Sequence, residues 1–291
     1  VITGGKASIT KYKGKAKTVV IPEVIDGIPV RSIGKKAFYK KHKISALVLS
    51  ENLKYIGDDA FLRCKKLSKI EMPYGVETIG KNAFGSCGIE ELILPESVKT
   101  IGDSAFYDNF SLGKLVMPYG VETIGNNAFE SCAIEELILP ESVKTIGDSA
   151  FYLNSKLRKL VMPYGVETIG KKAFECCGIE ELILPESLKT IGDLAFSFNF
   201  SLRKLVMPYG VETIGYNAFG NCGIEELILP ESVKTIGESA FYKNVSLRKV
   251  VIPDSVETIG YSAFPTKARN LTEISVETKK RLKNYDYIFE F

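Results

Sequence analysis

The hydrophobic residues of this 291-residue chain fall into two short patterns that alternate along nearly its whole length. One example of each, in order, is Ile89-x-x-Leu92-x-Leu94-Pro95 and Val98-x-x-Ile101-Gly102-x-x-Ala105-Phe106. The Ile-Gly pair of the second pattern recurs eleven times, at Ile33, Ile56, Ile79, Ile101, Ile124, Ile146, Ile169, Ile191, Ile214, Ile236 and Ile259. Successive pairs lie twenty-two or twenty-three positions apart, and the segment 88–132 agrees with the segment 133–177 at 37 of 45 positions. A 45-residue unit therefore overlies the short repeat.

Each pair of patterns predicts one coil of a solenoid. Alternation places Leu92 and Leu94 on the inner side of a strand, and Pro95 ends that strand because it cannot donate to a ladder. Gly102 is expected to form a tight bend, and Phe106 is large enough to fill the coil centre. A coil of this length cannot bury its own apolar edge, so neighbouring coils must stack. We predict a right-handed leucine-rich repeat solenoid with a parallel β-sheet, mostly strands and turns, of eleven to twelve coils.

No linker or block of like charge interrupts the repeats, so a single domain is predicted. Its expected parts are an N-terminal cap with the entry to the first coil at residues 1–30, tandem repeats at 31–270 and a C-terminal cap at 271–291. Strands are expected at 9–12 and 18–22, with an enlarged turn at 25–29. The last strand is expected at 271–276, followed by a short polar helix at 277–283.

Composition argues against catalysis. The chain has one histidine, His42, and no tryptophan, which leaves too few residues for Ser-His-Asp, Cys-His or multi-His metal chemistry. No phosphate-binding loop or dinucleotide motif is present. The 38 basic and 35 acidic residues give a net charge of +3, which is small for a dedicated nucleic-acid binder. We expect a non-enzymatic monomer with no cofactor, metal, nucleic-acid partner or membrane-spanning segment.

Cysteine positions predict a ladder of free thiols. Three residues after the repeat phenylalanine stand Cys64, Cys87, Cys132, Cys177 and Cys222, with Asn109, Asn154, Asn199 and Asn244 at this position in alternate coils. The position is expected to face inward and to bond backbone groups of the neighbouring turn. Cysteines two coils apart would be about 9–10 Å from each other, beyond disulfide reach. Only Cys64 and Cys87 stand in adjacent coils, and Cys176 is expected to be more exposed.

Two columns of charge alternate in sign from coil to coil. The first is Lys69, Glu91, Lys114, Glu136, Lys159, Glu181, Lys204, Glu226 and Lys249, and the second is Glu77, Lys99, Glu122, Lys144, Glu167, Lys189, Glu212, Lys234 and Glu257. Opposite charges on neighbouring strands stabilise the pairing and fix its register. The alternative, a strip that binds a polyanion, is disfavoured because such a ligand requires charges of one sign.

Two further columns are candidate sites for a partner. Outward positions of the leucine strands hold Ile93, Val116, Ile138, Val161, Ile183, Val206, Ile228 and Val251, and the residues after the strand proline include Tyr74, Tyr119, Tyr164 and Tyr209. An apolar stripe flanked by charges is typical of protein-binding faces, although β-propensity alone also explains branched residues here. The tyrosines suit sugar stacking or coverage of the coil edges. Because close packing leaves no cavity inside, the partner is expected across several coils and not in a pocket.

The stretch from Leu94 to Asn109 follows the pattern Leu-Pro-x-Ser-Val-x-x-Ile-Gly-x-x-Ala-Phe-x-x-Asn, and Cys87 gives its cysteine form. This pattern resembles the BspA-like class of leucine-rich repeat. The resemblance implies an extracellular or cell-surface bacterial protein that binds a host matrix or surface protein, with a glycan as second choice. Residues 1–6 are no signal peptide, so either the protein stays in the cell or a leader precedes Val1. The near-identical repeats also suit a structural spacer or a consensus scaffold without a ligand.

Overall fold

A computed structural model of the chain describes residues 1–265, 272–273 and 285–288. The chain forms two compact units, Val1–Val143 and Lys144–Phe291. Each unit consists of coils built from short strands and tight turns, and the fold is the predicted parallel-sheet β-solenoid, of about eleven turns with almost no helix. The predicted boundaries at residues 30 and 270, and the single-domain organisation, stay predictions.

Each regular coil contributes two strands, which we name after their sequence patterns. The leucine strands of Val1–Val143 are β3 (Thr18–Val20), β6 (Ala46–Val48), β8 (Lys69–Glu71), β10 (Glu91–Ile93), β12 (Lys114–Val116) and β14 (Glu136–Ile138). Those of Lys144–Phe291 are β16 (Lys159–Val161), β18 (Glu181–Ile183), β21 (Glu226–Ile228), β23 (Lys249–Val251) and β25 (Thr272–Glu273).

The second pattern forms the threonine strands on another side of the coils. In Val1–Val143 these are β2 (Lys6–Ile9), β5 (Ile28–Ile33), β7 (Tyr55–Ile56), β9 (Thr78–Ile79), β11 (Thr100–Ile101) and β13 (Thr123–Ile124). In Lys144–Phe291 they are β15 (Thr145–Ile146), β17 (Thr168–Ile169), β19 (Thr190–Ile191), β20 (Thr213–Ile214), β22 (Thr235–Ile236) and β24 (Thr258–Ile259). Two short strands, β1 (Ile2–Thr3) and β4 (Val24–Ile25), pair antiparallel with β2 and β5.

Phenylalanine rings form the centre of both units, as predicted. All eleven repeat phenylalanines are fully buried. In Val1–Val143 the stacked rings are Phe38, Phe61, Phe84, Phe106 and Phe129, with centroids 4.8 to 5.4 Å apart. In Lys144–Phe291 they are Phe151, Phe174, Phe196, Phe219, Phe241 and Phe264, at 5.2 to 5.6 Å. These separations lie in the range of favourable aromatic stacking.

The segment that carries each phenylalanine also hydrogen-bonds to the next coil, and we call this side the turn edge. In one coil the N–H groups of Ser104, Phe106 and Asp108 donate to backbone carbonyls of the following coil at 2.7 to 2.9 Å. Ser104 and Asp108 have φ values of 55° and 57°, a left-handed conformation that orients alternate N–H groups the same way. The turn edge therefore aligns successive coils residue by residue.

Gly102 was expected to provide a tight bend, and a turn does begin there, since the Ala105 N–H donates to the Gly102 carbonyl at 3.1 Å. The φ of Gly102 is not among the positive values, so its backbone is open to any residue. A β-carbon at Gly102 would instead lie 2.8 Å from the carbonyl oxygen of Ile79 and 2.9 Å from the carbonyl carbon of Gly80 in the preceding coil. The repeat glycine is needed because backbones of adjacent coils approach closely at this point.

The position three residues after the phenylalanine faces inward, as predicted. Its hydrogen bonds explain why cysteine and asparagine alternate there. The Cys87 thiol donates to the Phe61 carbonyl at 3.3 Å, one bond back to the preceding coil. Asn109 Nδ2 donates to the carbonyls of Phe84 and Phe106, and its Oδ1 accepts the N–H of Ile89 at 3.2 Å. Coils that hold Asn follow a coil whose loop, such as Cys87-Gly88-Ile89, is one residue shorter. Asparagine is required there because it both donates and accepts.

The two ends of the chain differ from the repeats. Asp26 and Gly27, with φ values of 50° and 74°, turn the chain between β4 and β5, as the predicted enlarged turn requires. The strand predicted at 9–12 lies instead at Lys6–Ile9, because β2 pairs in parallel with β5. At the other end, β25 covers two residues of the predicted last strand, with Thr272 opposite Val250. The polar helix predicted at 277–283 lies outside the described residues.

A 3-10 helix at Tyr285–Ile288 meets the final phenylalanine coil. The N–H groups of Ser262 and Phe264 donate to the carbonyls of Tyr287 and Ile288, both at 2.9 Å. These are the donors that a following coil would accept on the turn edge. The 3-10 helix thus terminates this hydrogen-bond ladder.

Candidate partner-binding face

The predicted apolar column faces outward on the leucine strands. In Val1–Val143, Ile93 pairs with Val116 and Val116 with Ile138 across parallel strands. Each lies next to a buried leucine, such as Leu92, because alternate residues of a strand point to opposite faces. The exposed fractions are 55% for Ile93, 42% for Val116 and 78% for Ile138. The predicted strand phase is correct here.

The same holds in Lys144–Phe291. Val161 pairs with Ile183, and Ile228 pairs with Val251. Val161, Ile183, Val206 and Ile228 are exposed, whereas Val251 is half-buried. Seven of the eight predicted positions therefore offer apolar side chains to solvent. We call the eight together the apolar column.

The tyrosine row is exposed but lies off the strands. Tyr74, Tyr119, Tyr164 and Tyr209 occupy turns that follow the strand proline, and each is about two-thirds exposed. In one of these turns the backbone N–H of Tyr209 donates to the Glu186 carboxylate of the preceding coil at 2.8 Å. A buried methionine, such as Met117, and a proline separate each of the last three from the apolar column in sequence. The structure therefore presents two separate rows.

Alternating charges pair across strands as predicted. Lys114 bonds Glu91, and Lys159 bonds Glu181 at 2.8 Å. In the second column Lys189 lies 3.5 Å from Glu167. The ammonium of Lys159 lowers the pKa of the Glu181 carboxyl through a hydrogen bond and charge. Because these pairs are exposed to solvent, each contributes little to stability.

The leucine strand at residues 204–206 departs from this regularity. Pairing there is reduced to single bridges from Lys204 to Glu181 and to Glu226. Each of those glutamates pairs with another cation, since Lys159 bonds Glu181 and Arg248 lies 3.0 Å from Glu226. Lys204 is thus left without an ion pair in the part of the chain that the structure describes. The pairing of the leucine strands is therefore weakened at this point of the column.

Two grooves flank this segment on the outer face of the strands. One, which we call the Val206 groove, has a volume of about 620 Å³ and is lined by Leu205, Val206, Met207, Ile228 and Pro230, with charged residues at its rim. The other, of about 440 Å³, lies between Ile183 and Val206. A third groove of about 470 Å³ opens beside Ile93 in Val1–Val143, where β8 and β10 are not paired. Interior packing remains tight, and the grooves form where neighbouring strands separate.

Charged residues at the rim of the Val206 groove were not predicted as site residues. Arg203 and Arg248 each lie 3.5 Å from the Glu225 carboxylate. The sequence offers one signal for them. The residue before the strand lysine is Gly113 in an earlier coil, whereas it is Arg203 or Arg248 in these later coils. Together they place charge of both signs around an apolar floor.

The described residues include few groups suited to catalysis or metal binding. Among residues 1–265, 272–273 and 285–288, no cluster of three histidine, cysteine or acidic side chains is placed to hold a metal ion. His42 is exposed in an early turn, as predicted. No helix within the described residues is long and apolar enough to cross a bilayer.

All six cysteines are free in the structure, and five are buried. Burial raises the pKa of Cys64 to about 11 and the pKa of Cys132, Cys177 and Cys222 to about 12. Cys176 is half-buried, which agrees with its predicted exposure relative to the ladder. The five ladder thiols combine raised pKa values with burial, which makes them unreactive because the accessible thiolate is the nucleophile.

Thiol labelling at pH 8 should therefore distinguish one cysteine from the other five. In the native protein we expect a disulfide-exchange reagent to label Cys176 alone, because the ladder thiols are protonated and inaccessible. After denaturation without reductant, all six should react. A Cys176→Ser variant controls for the native signal. Four or fewer reactive thiols after denaturation would reveal a disulfide, with Cys64 and Cys87 as the adjacent pair.

Fold and exposed face together define a leucine-rich repeat β-solenoid. A family model described as the BspA type leucine-rich repeat region matches the chain in six copies, over residues 31–158, 122–244 and 167–290. The chain belongs to this family. No curated protein sequence matches it.

Solved bacterial structures show the same fold. A leucine-rich repeat protein of Bacteroides ovatus is 26% identical, with a TM-score of 0.51 and coverage of 94% of this chain and 90% of the other. The leucine-rich repeat protein of T. pallidum is 30% identical, with a TM-score of 0.51 over 66% of this chain and 82% of the other. A leucine-rich cell surface protein of Faecalibacterium prausnitzii is 22% identical, with a TM-score of 0.53 over 97% and 94%.

Proposed function

We propose that this protein is a non-catalytic interaction domain that binds an extended segment of a host or cell-surface protein on its leucine-strand face. The observation that carries the proposal is the apolar column, because seven of its eight side chains are exposed. Exposed apolar stripes bordered by polar residues are typical of protein-binding sites. A repeated surface binds best to a ligand long enough to make several equivalent contacts.

The Val206 groove supports a polypeptide ligand over a sugar. Its floor is made of aliphatic side chains and Pro230, and its rim holds charges of both signs. Peptides present apolar side chains and charged groups together, whereas neutral sugars bind mainly to exposed aromatic rings. The aromatic rings nearest in sequence, such as Tyr209, occupy turns beyond the strand. The tyrosine row is accordingly the second candidate, with a glycan as its ligand.

We place the protein outside the bacterial cell or on its surface. The support comes from the family and from the F. prausnitzii relative, which is described as a cell surface protein. Recovery of the native protein in the surface fraction of the producing cell, tested by fractionation with an antibody, is the expected result. Recovery only in the cytosolic fraction would contradict it.

Binding to an array of purified extracellular-matrix proteins tests the site. Val116, Val161 and Val206 replaced together by aspartate should weaken any observed binding about tenfold or more, since three apolar contacts become charged. The circular dichroism spectrum should stay unchanged because these side chains face solvent. Wild-type affinity in a folded triple variant would move the site off this face.

A matched control places aspartate on the opposite strand series of the same three coils. Thr123, Thr168 and Thr213 follow the three valines by seven residues and lie on threonine strands. Their triple replacement introduces the same charge but leaves the apolar column intact. Equal loss of binding in both variants would indicate a general effect of negative charge and would contradict the proposed site.

The alternative function is a structural spacer. It is favoured by the near-identity of the repeats, since 37 of 45 positions agree between neighbouring units and offer little variation for recognition. A spacer predicts that the wild-type protein binds nothing on the array. That outcome would replace the proposed function by this one.

A further inference from the structure

Positive charge is concentrated in the first coils, although the whole chain is nearly neutral. The segment 1–66 contains 15 lysines and arginines against five acidic residues, a formal net charge of +10. The segment 67–291 contains the remaining 23 basic and 30 acidic side chains, a net charge of −7. The overall value of +3 therefore hides a strongly basic region at one end of the sequence.

Backbone hydrogen bonds bring most of these cations to one side of Val1–Val143. On the turn edge, Lys36 and Lys40 donate their N–H groups to carbonyls of the next coil at 3.0 and 2.9 Å. The preceding segment begins on the same side, since Tyr12 N–H donates to Ala37, and it ends at the start of a leucine strand, where Ser45 N–H donates to the Lys17 carbonyl, both at 2.8 Å. We call this set the basic edge: Lys11, Lys13, Lys15, Lys17, Lys35, Lys36, Lys40, Lys41, Lys43, Arg63, Lys65 and Lys66.

The basic edge is open to solvent, and its twelve cations far outnumber the two nearby carboxylates, Asp58 and Asp59. Eleven of its twelve residues are exposed, and Lys41 is half-buried. Within the part of the chain that the structure describes, none of the twelve forms an ion pair. The two nearby carboxylates are engaged with the following coil, since Asp58 accepts the N–H of Lys81 and Asp59 accepts the amide of Asn82. Mutual repulsion among these cations favours an anionic ligand.

Aromatic rings at this edge hold lysines in place. The ammonium groups of Lys36 and Lys40 lie 5.7 and 4.9 Å from the centre of the Tyr39 ring. Lys41 lies 5.9 Å from the ring of Tyr12, which itself stacks on Phe38. Such cation–π contacts order the cations and cover the faces of both rings. The two tyrosine rings thus offer little free surface for a nucleobase to stack on, and the exposed ring of His42 is the one that remains among the described residues of the edge.

Two further features of the basic edge limit the class of anionic ligand that it can bind. Eleven of the twelve cations are lysines, which act as point charges, whereas Arg63 is the single arginine with a planar fork for phosphate or base edges. Exposed large apolar residues of the first coils, such as Val20, Val48 and Tyr55, lie on strands and are not among the residues of this edge. A surface without an apolar wedge does not insert into a bilayer.

We infer that the basic edge binds a sulfated polysaccharide, a linear polyanion recognised by charge density. Its residues belong to turns and are distinct from the apolar column, so the inference stands independently of the proposed function. Repeated sulfate and carboxylate groups along one chain match a row of ordered ammonium groups, and binding releases the counterions of both. Affinity should therefore fall steeply as salt increases.

A heparin-derived decasaccharide is the probe, measured by titration calorimetry with the full chain. Replacement of Lys35, Lys40 and Lys43 together by glutamine should weaken binding about tenfold at low salt. The matched control replaces Lys171, Lys243 and Lys156, which stand two, seven and ten positions after their coil's Ile-Gly isoleucine, as the first three do after Ile33. The control makes the same change in net charge and should leave affinity unchanged.

Three outcomes would overturn the inference. The first is equal loss of affinity in both triple variants, which would show a response to net charge alone. The second is unchanged binding after the decasaccharide is desulfated. The third is tighter binding of a single-stranded oligonucleotide, or of anionic phospholipid vesicles, than of the decasaccharide at the same salt concentration. Circular dichroism checks that each variant is folded.

Discussion

Replacement of Phe106 by alanine should lower the free energy of unfolding by about 3–5 kcal/mol. The ring is fully buried and stacks between Phe84 and Phe129, with centroids 5.4 Å away on both sides. Alanine would remove the whole ring and leave a cavity in the centre of the coil. Because adjacent coils are fixed by hydrogen bonds on the turn edge, they cannot collapse freely into this space.

Chemical denaturation followed by circular dichroism measures the effect. Phe110→Ala is the matched control, since that ring lies four residues later and is 70% exposed. It should change stability by about 0.5 kcal/mol or less, as expected for a surface site. A loss below about 1 kcal/mol for Phe106→Ala would show that the stacked rings contribute little to the core.

Asn109→Ala should cost about 3 kcal/mol, the second large effect. The side chain is fully buried, and its shortest bonds go to backbone groups of Phe84, Phe106 and Ile89. Each buried polar group left without a partner costs about 1–3 kcal/mol. The N–H of Ile89 loses its acceptor and is the most severe case, because Asn109 belongs to the following coil and nothing else replaces it there.

Two comparisons isolate this bond in the same denaturation assay. Asn109→Cys keeps a donor but supplies no good acceptor. Its free energy of unfolding should therefore lie between that of the wild type and that of Asn109→Ala. Cys132→Ala, in the next coil, removes only the weak thiol donor to Phe106 and should cost about 1 kcal/mol. Equal costs for Asn109→Ala and Cys132→Ala would contradict the role given to the Ile89 N–H.

Much of the fold could be predicted because each coil repeats the same short pattern of hydrophobic and polar residues. Alternation along Leu92, Ile93 and Leu94 gave the correct inner and outer positions, and the inward place of Cys87 and Asn109 followed from their common distance to the phenylalanine. The reason for their alternation could not be predicted. It depends on a hydrogen bond between coils that becomes visible only when the shorter loop before Asn109 is placed against it.

Gly102 shows that a glycine at a turn can be required for a reason other than its own conformation. Glycine is selected either by a positive φ or by a close neighbour, and the sequence shows only that a side chain is not tolerated. Here the neighbour is the carbonyl of Ile79. The left-handed positions fall instead on residues such as Ser104 and Asp108.

The outward orientation of the apolar column could be predicted from the sequence, but the grooves beside it could not. Lys204-Leu205-Val206 has the same sequence as Lys114–Val116 and Lys159–Val161, which form regular strands. Its weaker pairing and the adjacent grooves therefore arise from the packing of particular coils, which a local pattern cannot encode. Likewise, the total charge of +3 gave no sign of the basic edge, because segregation appears only when the segment 1–66 is counted separately.

The bond from Asn109 to Ile89 also constrains how such a chain can change length. A coil with the short loop depends on an asparagine in the coil that follows, so the smallest self-sufficient segment is two coils. Duplication or loss of one 45-residue unit preserves every such bond and keeps lysine next to glutamate along the strands. Loss of a single coil would orphan an N–H group and bring like charges together. Genetic expansion and contraction of this gene should therefore proceed in steps of two coils.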